Sequence, residues 1–250
     1  MELSKRLSVV AGAVTPGNRV ADIGTDHGYV PINLLKKGNC PSAIAMDVNR
    51  GPLERAKEHI QKEGLSDVIQ TRLSNGLEKL HPGEVDTIVI AGMGGDLICR
   101  ILSAAPQVLK HCRELILQPQ SEWFKVRHFL HAHGYQIEKE WFLKEDGKYY
   151  VILRAQAVKK EGSGDENTRK TLSYEDEFSY EYGRYLLDER NPVLLEYLKK
   201  EAEKKENIAS AMEKTLEEND SPSEEKRKQR ICQLKKEAAD IRQALNEMEI

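Results

Sequence analysis

Residues 20–31 read Val-Ala-Asp-Ile-Gly-Thr-Asp-His-Gly-Tyr-Val-Pro, and this stretch decides the fold. A short apolar strand over residues 19–23 runs into a turn that contains Gly24 and Gly28, and a helix follows the turn. Glycine lets the chain turn without steric penalty and lets the backbone approach a ligand closely. The first N–H groups of a helix have no partner inside the helix and can bind a ligand. The stretch therefore predicts a strand–turn–helix unit with a ligand at the turn.

Three further predicted strands end in polar or glycine-rich residues. These strands cover residues 42–46, 67–72 and 85–90, and they are followed by Asp47, by Ser74-Asn75-Gly76 and by residues 91–96 (Ala-Gly-Met-Gly-Gly-Asp). Ligands of open parallel sheets bind outside the carboxyl ends of the strands. A single turn of this kind would mean only that glycine and aspartate end strands, but four in order predict a binding site.

The charge of Asp22 selects among cofactors. Dinucleotide-binding folds use Gly-x-Gly-x-x-Gly because the pyrophosphate must lie against a helix N-terminus, and Asp22 takes the place of the first of these glycines. A carboxylate repels pyrophosphate but tolerates the sulfonium and amino groups of S-adenosyl-L-methionine (SAM). Asp47, at the end of the next strand, suits the ribose hydroxyls. SAM is therefore favoured over NAD or FAD. The predicted SAM-binding residues are Asp22, Gly24, Thr25, Gly28, Asp47, Val48, Ser74, Asn75, Gly76, Ala91, Gly92 and Met93, although Met93 has the alternative role of filling space.

The rest of the N-terminal half completes a sheet. A fifth strand is predicted over residues 114–117, a helix over 121–133, and two strands over 135–143 and 149–154 around Asp146-Gly147, a hairpin turn. Seven strands, mostly parallel and closed by an antiparallel hairpin, predict an α/β fold, namely a Rossmann-like, seven-stranded SAM-dependent methyltransferase domain over residues 1–160. The polar, glycine-bearing segment 159–167 is typical of a linker.

Residues 161–250 are predicted to form a C-terminal helical antiparallel coiled-coil hairpin. From residue 231 the apolar residues are spaced alternately three and four apart, which is an a/d seam, and the preceding helix over 192–216 has the same spacing apart from Lys205. Ser221-Pro-Ser-Glu between them is a helix start with Ser as N-cap. Two such helices joined by a short turn fold back on each other. From this pattern alone the hairpin is either a pure scaffold or a dimer seam.

Composition places the chain among soluble intracellular proteins. No apolar run is long enough to span a membrane, the N-terminus has no export signal pattern, and the four cysteines lack metal-ligand spacing. The net charge of −3 divides into 21 Lys/Arg against 18 Asp/Glu in residues 1–159 and 17 against 23 in residues 160–250. Phosphate contacts need only local positive patches. The basic runs of the tail are therefore either such patches or a solvated helix face.

The sequence resembles the TrmK family, bacterial tRNA methyltransferases that modify N1 of adenine at position 22. The matching segments are Leu3-Ser-Lys-Arg-Leu, Ala21-Asp-Ile-Gly-Thr-Asp-His-Gly-Tyr, Asn49-Arg-Gly-Pro, Arg72-Leu-Ser-Asn-Gly-Leu, Ala91-Gly-Met-Gly-Gly, Leu115-Ile-Leu-Gln-Pro-Gln and Glu145-Asp-Gly-Lys-Tyr-Tyr. The combination of the second and fifth segments is specific. Two departures are Asp47, where the family often has Glu, and Gln120, where it has Asn. The first keeps the carboxylate, and the second puts the role of Gln120 in doubt.

The resemblance implies a SAM-dependent tRNA (adenine-N1)-methyltransferase whose C-terminal hairpin is an RNA-binding arm. We expect a cytoplasmic protein that is a monomer or weak oligomer. Asp26 is the candidate base for the N6 proton, with capping of the helix that follows as its alternative role, and His27 or Tyr29 orients the target adenine. Lys5, Arg6, Gln118 and Pro119 are the candidate substrate-binding residues. Two other functions remain open, a SAM-dependent methyltransferase of another RNA or of a protein, and a non-catalytic methyltransferase-like binding module.

Two minor features complete the prediction. His128, His131 and His133 could suggest a metal, but no carboxylate or cysteine completes a ligand set, so no metal is predicted. Trp123 is interpreted as a residue that anchors its helix in the core, with contact to a substrate base as the alternative.

Overall fold

A seven-stranded sheet forms the centre of the first part of the molecule. The structure is a computed structural model and describes residues 3–157, 177–216 and 222–249. The strands are β1 (Val20–Ile23), β2 (Ala43–Asp47), β3 (Ile69–Leu73), β4 (Thr87–Met93), β5 (Glu114–Pro119), β6 (Tyr135–Glu145) and β7 (Lys148–Ala157). Their order in the sheet is β3-β2-β1-β4-β5-β7-β6. The predicted seven-stranded α/β fold is confirmed.

Helices cover the sheet and form the C-terminal part of the chain. They are α1 (Lys5–Ala13), α2 (Tyr29–Lys36), α3 (Arg50–Lys62), α4 (Gly95–Ser103), α5 (Pro106–Leu109), α6 (Trp123–Ala132), α7 (Glu177–Tyr182), α8 (Arg184–Asp188), α9 (Pro192–Glu213) and α10 (Pro222–Glu249). In the described part of the chain, no helix is long and apolar enough to cross a membrane.

Strand β1 lies at the point where the direction of strand addition reverses. Asp22 of β1 is in register with Ala45 of β2 on one side and with Val89 of β4 on the other, and both pairings are parallel. All four residues of β1 are buried because helices cover both faces of the parallel sheet. The carboxyl end of β1 therefore faces the crevice in which open α/β sheets bind their ligands.

The last two strands form an antiparallel hairpin whose inner strand pairs with β5. At its tip Asp146 has φ 49° and Gly147 has φ 75°, so both central residues are left-handed. A type I′ turn requires this conformation, and Asp-Gly adopts it readily. Strand β7 pairs antiparallel with β5, and β6 pairs antiparallel with β7. The predicted hairpin is confirmed, with strands longer than expected.

The chain divides into two compact units, Met1–Tyr185 and Leu186–Ile250. The predicted boundary at residue 160 and the predicted linker 159–167 both lie outside the described residues. The second unit contains the two long helices, and α10 begins at Pro222 as predicted. Ser221, its predicted N-cap, also lies outside the described residues.

Helices α9 and α10 pack as an antiparallel pair. Glu213, near the end of α9, forms an ion pair with Lys235 of α10. Glu206, about two turns earlier in α9, forms an ion pair with Arg242, which lies later in α10. The two helices therefore run in opposite directions. Lys205, which interrupts the apolar spacing of α9, forms an ion pair with Glu237. The predicted seam of α10 is buried throughout, at Ile231, Leu234, Ala238, Ile241, Leu245 and Met248.

Candidate active site

The carboxylate of Asp22 is the buried charge at the centre of the site. Asp22 is 5 % exposed on β1. Burial raises its pKa to about 6, the nearby Thr25 hydroxyl lowers it in part, and the negative charge of Asp47 raises it further. A buried carboxylate without a cation beside it is costly, so a positively charged ligand would be favoured here.

The turn after β1 contains Gly24, and the side chain of Met93 packs against it. Gly24 has φ 75°, and a Cβ built on it would lie 2.2 Å from Met93 Cε at the end of β4. The N–H groups of Gly24 and Thr25 both donate to the carbonyl of Met46. Thr25 is 1 % exposed, and its hydroxyl interacts with the carboxylate of Asp22.

The ends of β2 and β3 offer one carboxylate and two apolar surfaces. Asp47 Oδ1 accepts a hydrogen bond from Asn49 N at 2.6 Å, which fixes the side chain at the strand end. Val48 and Leu73 are 59 % and 42 % exposed although both are large and apolar. Because Asp47 and Leu73 are in register, these surfaces lie at neighbouring strand ends. This arrangement suits a flat ring joined to a sugar with two hydroxyls.

The loop after β3 is braced by its own side chains. Ser74 Oγ donates to the carbonyl of Gly76 at 2.9 Å and accepts from Lys79 N at 3.1 Å. Asn75 Nδ2 donates to Glu78 Oε1 at 2.7 Å. Ser74 N also donates to the carbonyl of Asp47 at 2.9 Å, which joins this loop to the end of β2. Ser74 therefore has a structural role in shaping the loop, and SAM binding by Ser74, Asn75 and Gly76 stays a prediction.

The alternative role of Asp26, capping of the helix that follows, is wrong. Helix α2 begins at Tyr29, its N-cap residue is Gly28, and no side chain caps it. Asp26 Oδ1 lies instead 3.4 Å from His27 Nε2 and 3.4 Å from Arg55 Nη2. The chain reaches the helix through two left-handed residues, His27 and Gly28, so it has moved past Asp26 before the first helical turn. The capping role is excluded, and the catalytic role stays a prediction.

A buried glutamine joins the ends of β4 and β5 to helix α1. A β-bulge lies between Ala91 and Met93, and Gln118 Oε1 accepts from Gly92 N at 3.1 Å and from Arg6 Nη1 at 2.6 Å. The Arg6 guanidinium lies 5.4 Å from the centre of the Tyr150 ring. Of the four predicted substrate residues, the structure thus brings Arg6 and Gln118 together.

The other two predicted substrate residues lie near this cluster. Lys5 is exposed on α1, one residue before Arg6, and Pro119 is buried in register with Met93. Neither position contradicts a role in substrate binding, and both roles stay predictions.

Four residues around the site are absent from the prediction. Arg55 and His59 of α3 contact the 26–28 turn, while Tyr150 and Glu145 of the β6–β7 hairpin contact Arg6. These residues are far in sequence from the residues that they contact, so no local sequence pattern indicates the contacts. Glu145 and Tyr150 lie within a segment that matches the TrmK family, which is the signal that could have found them.

His128 and His131 of α6, and His133 directly after it, have protein partners. The ring of His128 stacks on Tyr180 at a centroid distance of 3.6 Å, His131 Nδ1 hydrogen-bonds to the Tyr180 hydroxyl, and His133 Nδ1 to the carbonyl of Phe129. Among the described residues, no group of three or more His, Cys, Asp or Glu could hold a metal ion. Trp123 packs edge-on against Phe142, at a centroid distance of 5.5 Å, as expected for a core anchor.

Three of the four cysteines lack the properties of nucleophiles. All four are free thiols. Burial raises the pKa of Cys40 and Cys99 to about 11 and that of Cys112 to about 12. A thiol with a raised pKa carries little thiolate, which is the reactive form.

Strand order 3-2-1-4-5-7-6, an antiparallel β7 and acidic residues at the ends of β1 and β2 define the class of Rossmann-like SAM-dependent methyltransferases. A family model described as a methyltransferase domain matches residues 3–153. The chain is also 35% identical, over 99% of its length and 97% of the relative, to the tRNA (adenine(22)-N(1))-methyltransferase of Bacillus subtilis. The chain therefore belongs to the TrmK family of tRNA (adenine(22)-N(1))-methyltransferases, as the sequence resemblance predicts.

Two solved structures extend this similarity over the whole chain. The crystal structure of the B. subtilis m1A22 tRNA methyltransferase TrmK is 34% identical, with a TM-score of 0.79 over 99% of this chain and 98% of that one. A Streptococcus pneumoniae homologue in complex with S-adenosyl-L-methionine is 35% identical, with a TM-score of 0.75 over 99% of both chains. The structural similarity thus includes the C-terminal helices as well as the sheet.

Proposed function

We propose that this protein transfers a methyl group from SAM to N1 of an adenine in tRNA, at position 22. The observation that carries the proposal is the pair of carboxylates, Asp22 and Asp47, at the ends of neighbouring parallel strands in a chain similar throughout to an enzyme of this name. The family similarity supplies the substrate, and the geometry supplies a site suited to the cofactor.

The residues at the strand ends fit SAM. Asp22 is a buried carboxylate with no cation at hydrogen-bond distance among the described residues, so it suits the positively charged part of SAM. The buried Thr25 hydroxyl lies next to Asp22 and can bond to the same part. Asp47 would hold the ribose hydroxyls, and Val48 and Leu73 would cover the adenine ring. Bound SAM supplies a methyl group that its sulfonium sulfur has already activated for transfer.

The protein's part in the reaction is to hold the target base and remove a proton. The in-plane lone pair of adenine N1 forms the new N–C bond, and the electron pair of the S–C bond stays on sulfur. Positioning for in-line attack supplies most of the acceleration. Methylation at N1 makes the N6 proton acidic, and Asp26 is the residue proposed to accept it. His27 and Tyr29 lie beside Asp26 with their rings half-exposed, as a stacking partner of the base requires.

The α9–α10 hairpin is proposed as an arm that contacts tRNA phosphates. Many of its basic residues already pair with acids of the hairpin, including Lys205, Lys235 and Arg242. Lys226 and Lys228, in the first turns of α10, are exposed and have no ion-pair partner among the described residues. Cations that no acid neutralises are the ones available to phosphate.

A monomer or weak oligomer is the proposed assembly, because α9 already covers the apolar seam of α10 within one chain. Since tRNA is the proposed substrate, the proposed place of action is the cytoplasm. Because the seam residues of α10 are already buried, they are not available to pair with a second copy of the chain, which speaks against a dimer seam.

The test is incubation of the purified protein with labelled SAM and unmodified bacterial tRNA, followed by nucleoside analysis. The expected product is 1-methyladenosine, and a transcript with guanosine in place of adenosine 22 should take up no label. The variant Asp26→Asn should lower the rate by about a hundredfold or more. The control Asp67→Asn changes an exposed carboxylate just before the amino end of β3 and should leave the rate unchanged. Tight SAM binding without methyl transfer to any tRNA would overturn the proposal.

A further inference from the structure

Helix α3 presents two side chains to the turn that carries the proposed catalytic residues. Arg55 and His59 are four residues apart on α3, so they lie on the same face of the helix. Arg55 Nη2 lies 3.4 Å from Asp26 Oδ1, and His59 Nδ1 lies 3.1 Å from the carbonyl oxygen of His27. One face of α3 therefore contacts both the side chain of Asp26 and the backbone of the next residue.

The backbone that these residues hold is strained. His27 has φ 60° and Gly28 has φ 68°, which places two consecutive residues in the left-handed region. Glycine adopts this conformation freely, but a residue with a side chain does so rarely and keeps it only where its surroundings fix it. Here the hydrogen bond from His59 to the carbonyl oxygen of His27 fixes the backbone of the turn. A carbonyl oxygen can only accept, so His59 Nδ1 is the donor and neutral His59 is the Nδ1–H tautomer.

The rings add a second constraint on the same turn. The rings of His27, Tyr29 and His59 are nearly parallel, with interplanar angles of 10° to 22° and centroid distances of 5.0, 5.2 and 5.7 Å. All three distances are similar, so the rings form a compact cluster and not a linear column. Moving the ring of His59 would therefore disturb both rings that are proposed to face the substrate base.

We propose that Arg55 and His59 are positioning residues for methyl transfer. They hold the 26–28 turn in its left-handed conformation, so that the carboxylate of Asp26 and the rings of His27 and Tyr29 face the target adenine together. This inference rests on the proposed function, because it assigns a role through residues placed in that reaction. Neither residue lies among those that fit SAM, so their loss should change the reaction with tRNA and leave SAM binding intact.

Substitutions at His59 separate the hydrogen bond from the size of the side chain. His59→Leu removes the donor, and the expected result is a fall in kcat of about tenfold to a hundredfold, with the dissociation constant of SAM unchanged within about twofold. His59→Asn places an amide N–H close to the position of Nδ1 and should restore most of kcat. Equal losses in both variants, or a loss of SAM affinity that accounts for the lower rate, would overturn the proposal.

Substitutions on α3 separate the contact with Asp26 from the charge of the helix. Arg55→Ala and Lys57→Ala each remove one positive charge, but Lys57 is exposed and contacts none of the described site residues. Only Arg55→Ala should lower kcat, and its effect should largely disappear when Asp26→Asn is already present. Equal effects of Arg55→Ala and Lys57→Ala would mean that α3 acts only through its charge, and the proposal would then be wrong.

A measurement without RNA keeps this inference apart from the proposed function. Long-range ¹H–¹⁵N spectra of the wild-type protein should show neutral His59 as the Nδ1–H tautomer, and the spectrum of His27 should change in His59→Leu. A neutral His59 in the Nε2–H form would refute the positioning role even if tRNA is methylated. If tRNA is not methylated but His59 is the expected tautomer, the proposed function is wrong, while the conclusion that His59 fixes the 26–28 turn remains valid.

Discussion

Gly24 lies directly beneath the terminal methyl group of Met93, since a Cβ built on Gly24 would lie 2.2 Å from Met93 Cε. This contact joins the first turn of the sheet, after β1, to the end of β4. Both residues are among those predicted from sequence to bind SAM. It also means that any side chain at residue 24 must displace Met93 while it adopts a left-handed backbone.

Gly24→Ala should therefore destabilise the protein by more than the left-handed backbone alone would, because the new Cβ must also displace Met93. Gly38 is a matched control, because it has φ 67° but nothing lies within 4 Å of a Cβ built there. We expect Gly38→Ala to lose about 1 kcal/mol with unchanged SAM affinity. Gly24→Ala should lose more and should also weaken SAM binding. Urea unfolding and calorimetric titration measure both, and equal losses of stability would contradict the role of Met93.

Asp22→Asn should stabilise the ligand-free protein at neutral pH. The pKa of Asp22 is raised from 3.8 to about 6 in the folded state, so the folded protein holds this proton more tightly than the unfolded chain. Stability therefore falls as pH rises from about 4 to about 6, by up to about 3 kcal/mol, and the loss is complete at pH 7. The asparagine variant lacks this loss, and its advantage should shrink toward pH 4.

The same substitution should weaken SAM binding by at least about tenfold. In the wild type, SAM affinity should itself decline as pH falls below about 6, because the protonated acid no longer attracts the cation. Thermal unfolding across pH and titration with SAM test the two halves. If Asp22→Asn were less stable than the wild type at pH 7.5, burial of the charged Asp22 carboxylate would not be destabilising, and this prediction would be wrong.

The parts of the fold that depend on local pattern were predictable from sequence. The ends of β1, β2 and β4 and the Asp146-Gly147 turn follow from short-range signals, since glycine and aspartate have few places in a strand interior. The seam of α10 follows from a spacing that a helix imposes over its whole length. These features need no knowledge of which distant residue lies nearby.

The interactions across the site could not be predicted, because they join residues far apart in sequence. Nothing local indicates that His59 would donate to the carbonyl of His27, or that Gln118 would bridge Gly92 and Arg6. The alternative role of Asp26 as a helix cap is wrong for a related reason. It assumed that the helix starts directly after Asp26, whereas two left-handed residues postpone the start to Tyr29.

Glu140→Gln should destabilise the first unit and loosen α7. Arg127 and Glu140 are fully buried and form an ion pair at 2.7 Å, and Arg127 Nη1 also donates to the carbonyls of Tyr180 and Glu181 in α7. The substitution leaves a buried guanidinium without its counter-charge, which costs about 3 kcal/mol or more. We expect lower resistance to urea and faster hydrogen exchange in residues 177–182.

A second variant tests whether the buried charge is the cause. Adding Arg127→Met to Glu140→Gln removes the unpaired charge, so the double variant should lose less stability than the sum of the two single variants. Additive losses would show that the two side chains contribute independently, and unchanged exchange in α7 would show that Arg127 does not anchor this helix.

Replacing Lys226 and Lys228 by alanine should weaken tRNA binding more than replacing Lys205 and Lys235. Each pair of substitutions removes two positive charges from the hairpin. Lys205 and Lys235 are already neutralised by Glu237 and Glu213, at 2.5 Å in both ion pairs. Lys226 and Lys228 have no such partner among the described residues, so their charges are available to phosphate.

The salt dependence of binding distinguishes phosphate contacts from a loss of structure. Each phosphate contact that is removed should lower the slope of log affinity against log salt by about 0.7 to 0.9. The variant without Lys226 and Lys228 should therefore show a slope reduced by about 1.5 and an unchanged helix content. The variant without Lys205 and Lys235 should keep its slope and lose stability instead, because it breaks two contacts between α9 and α10. If the two variants changed the slope equally, the hairpin would contribute only its overall charge, and the arm would not use these lysines to hold tRNA.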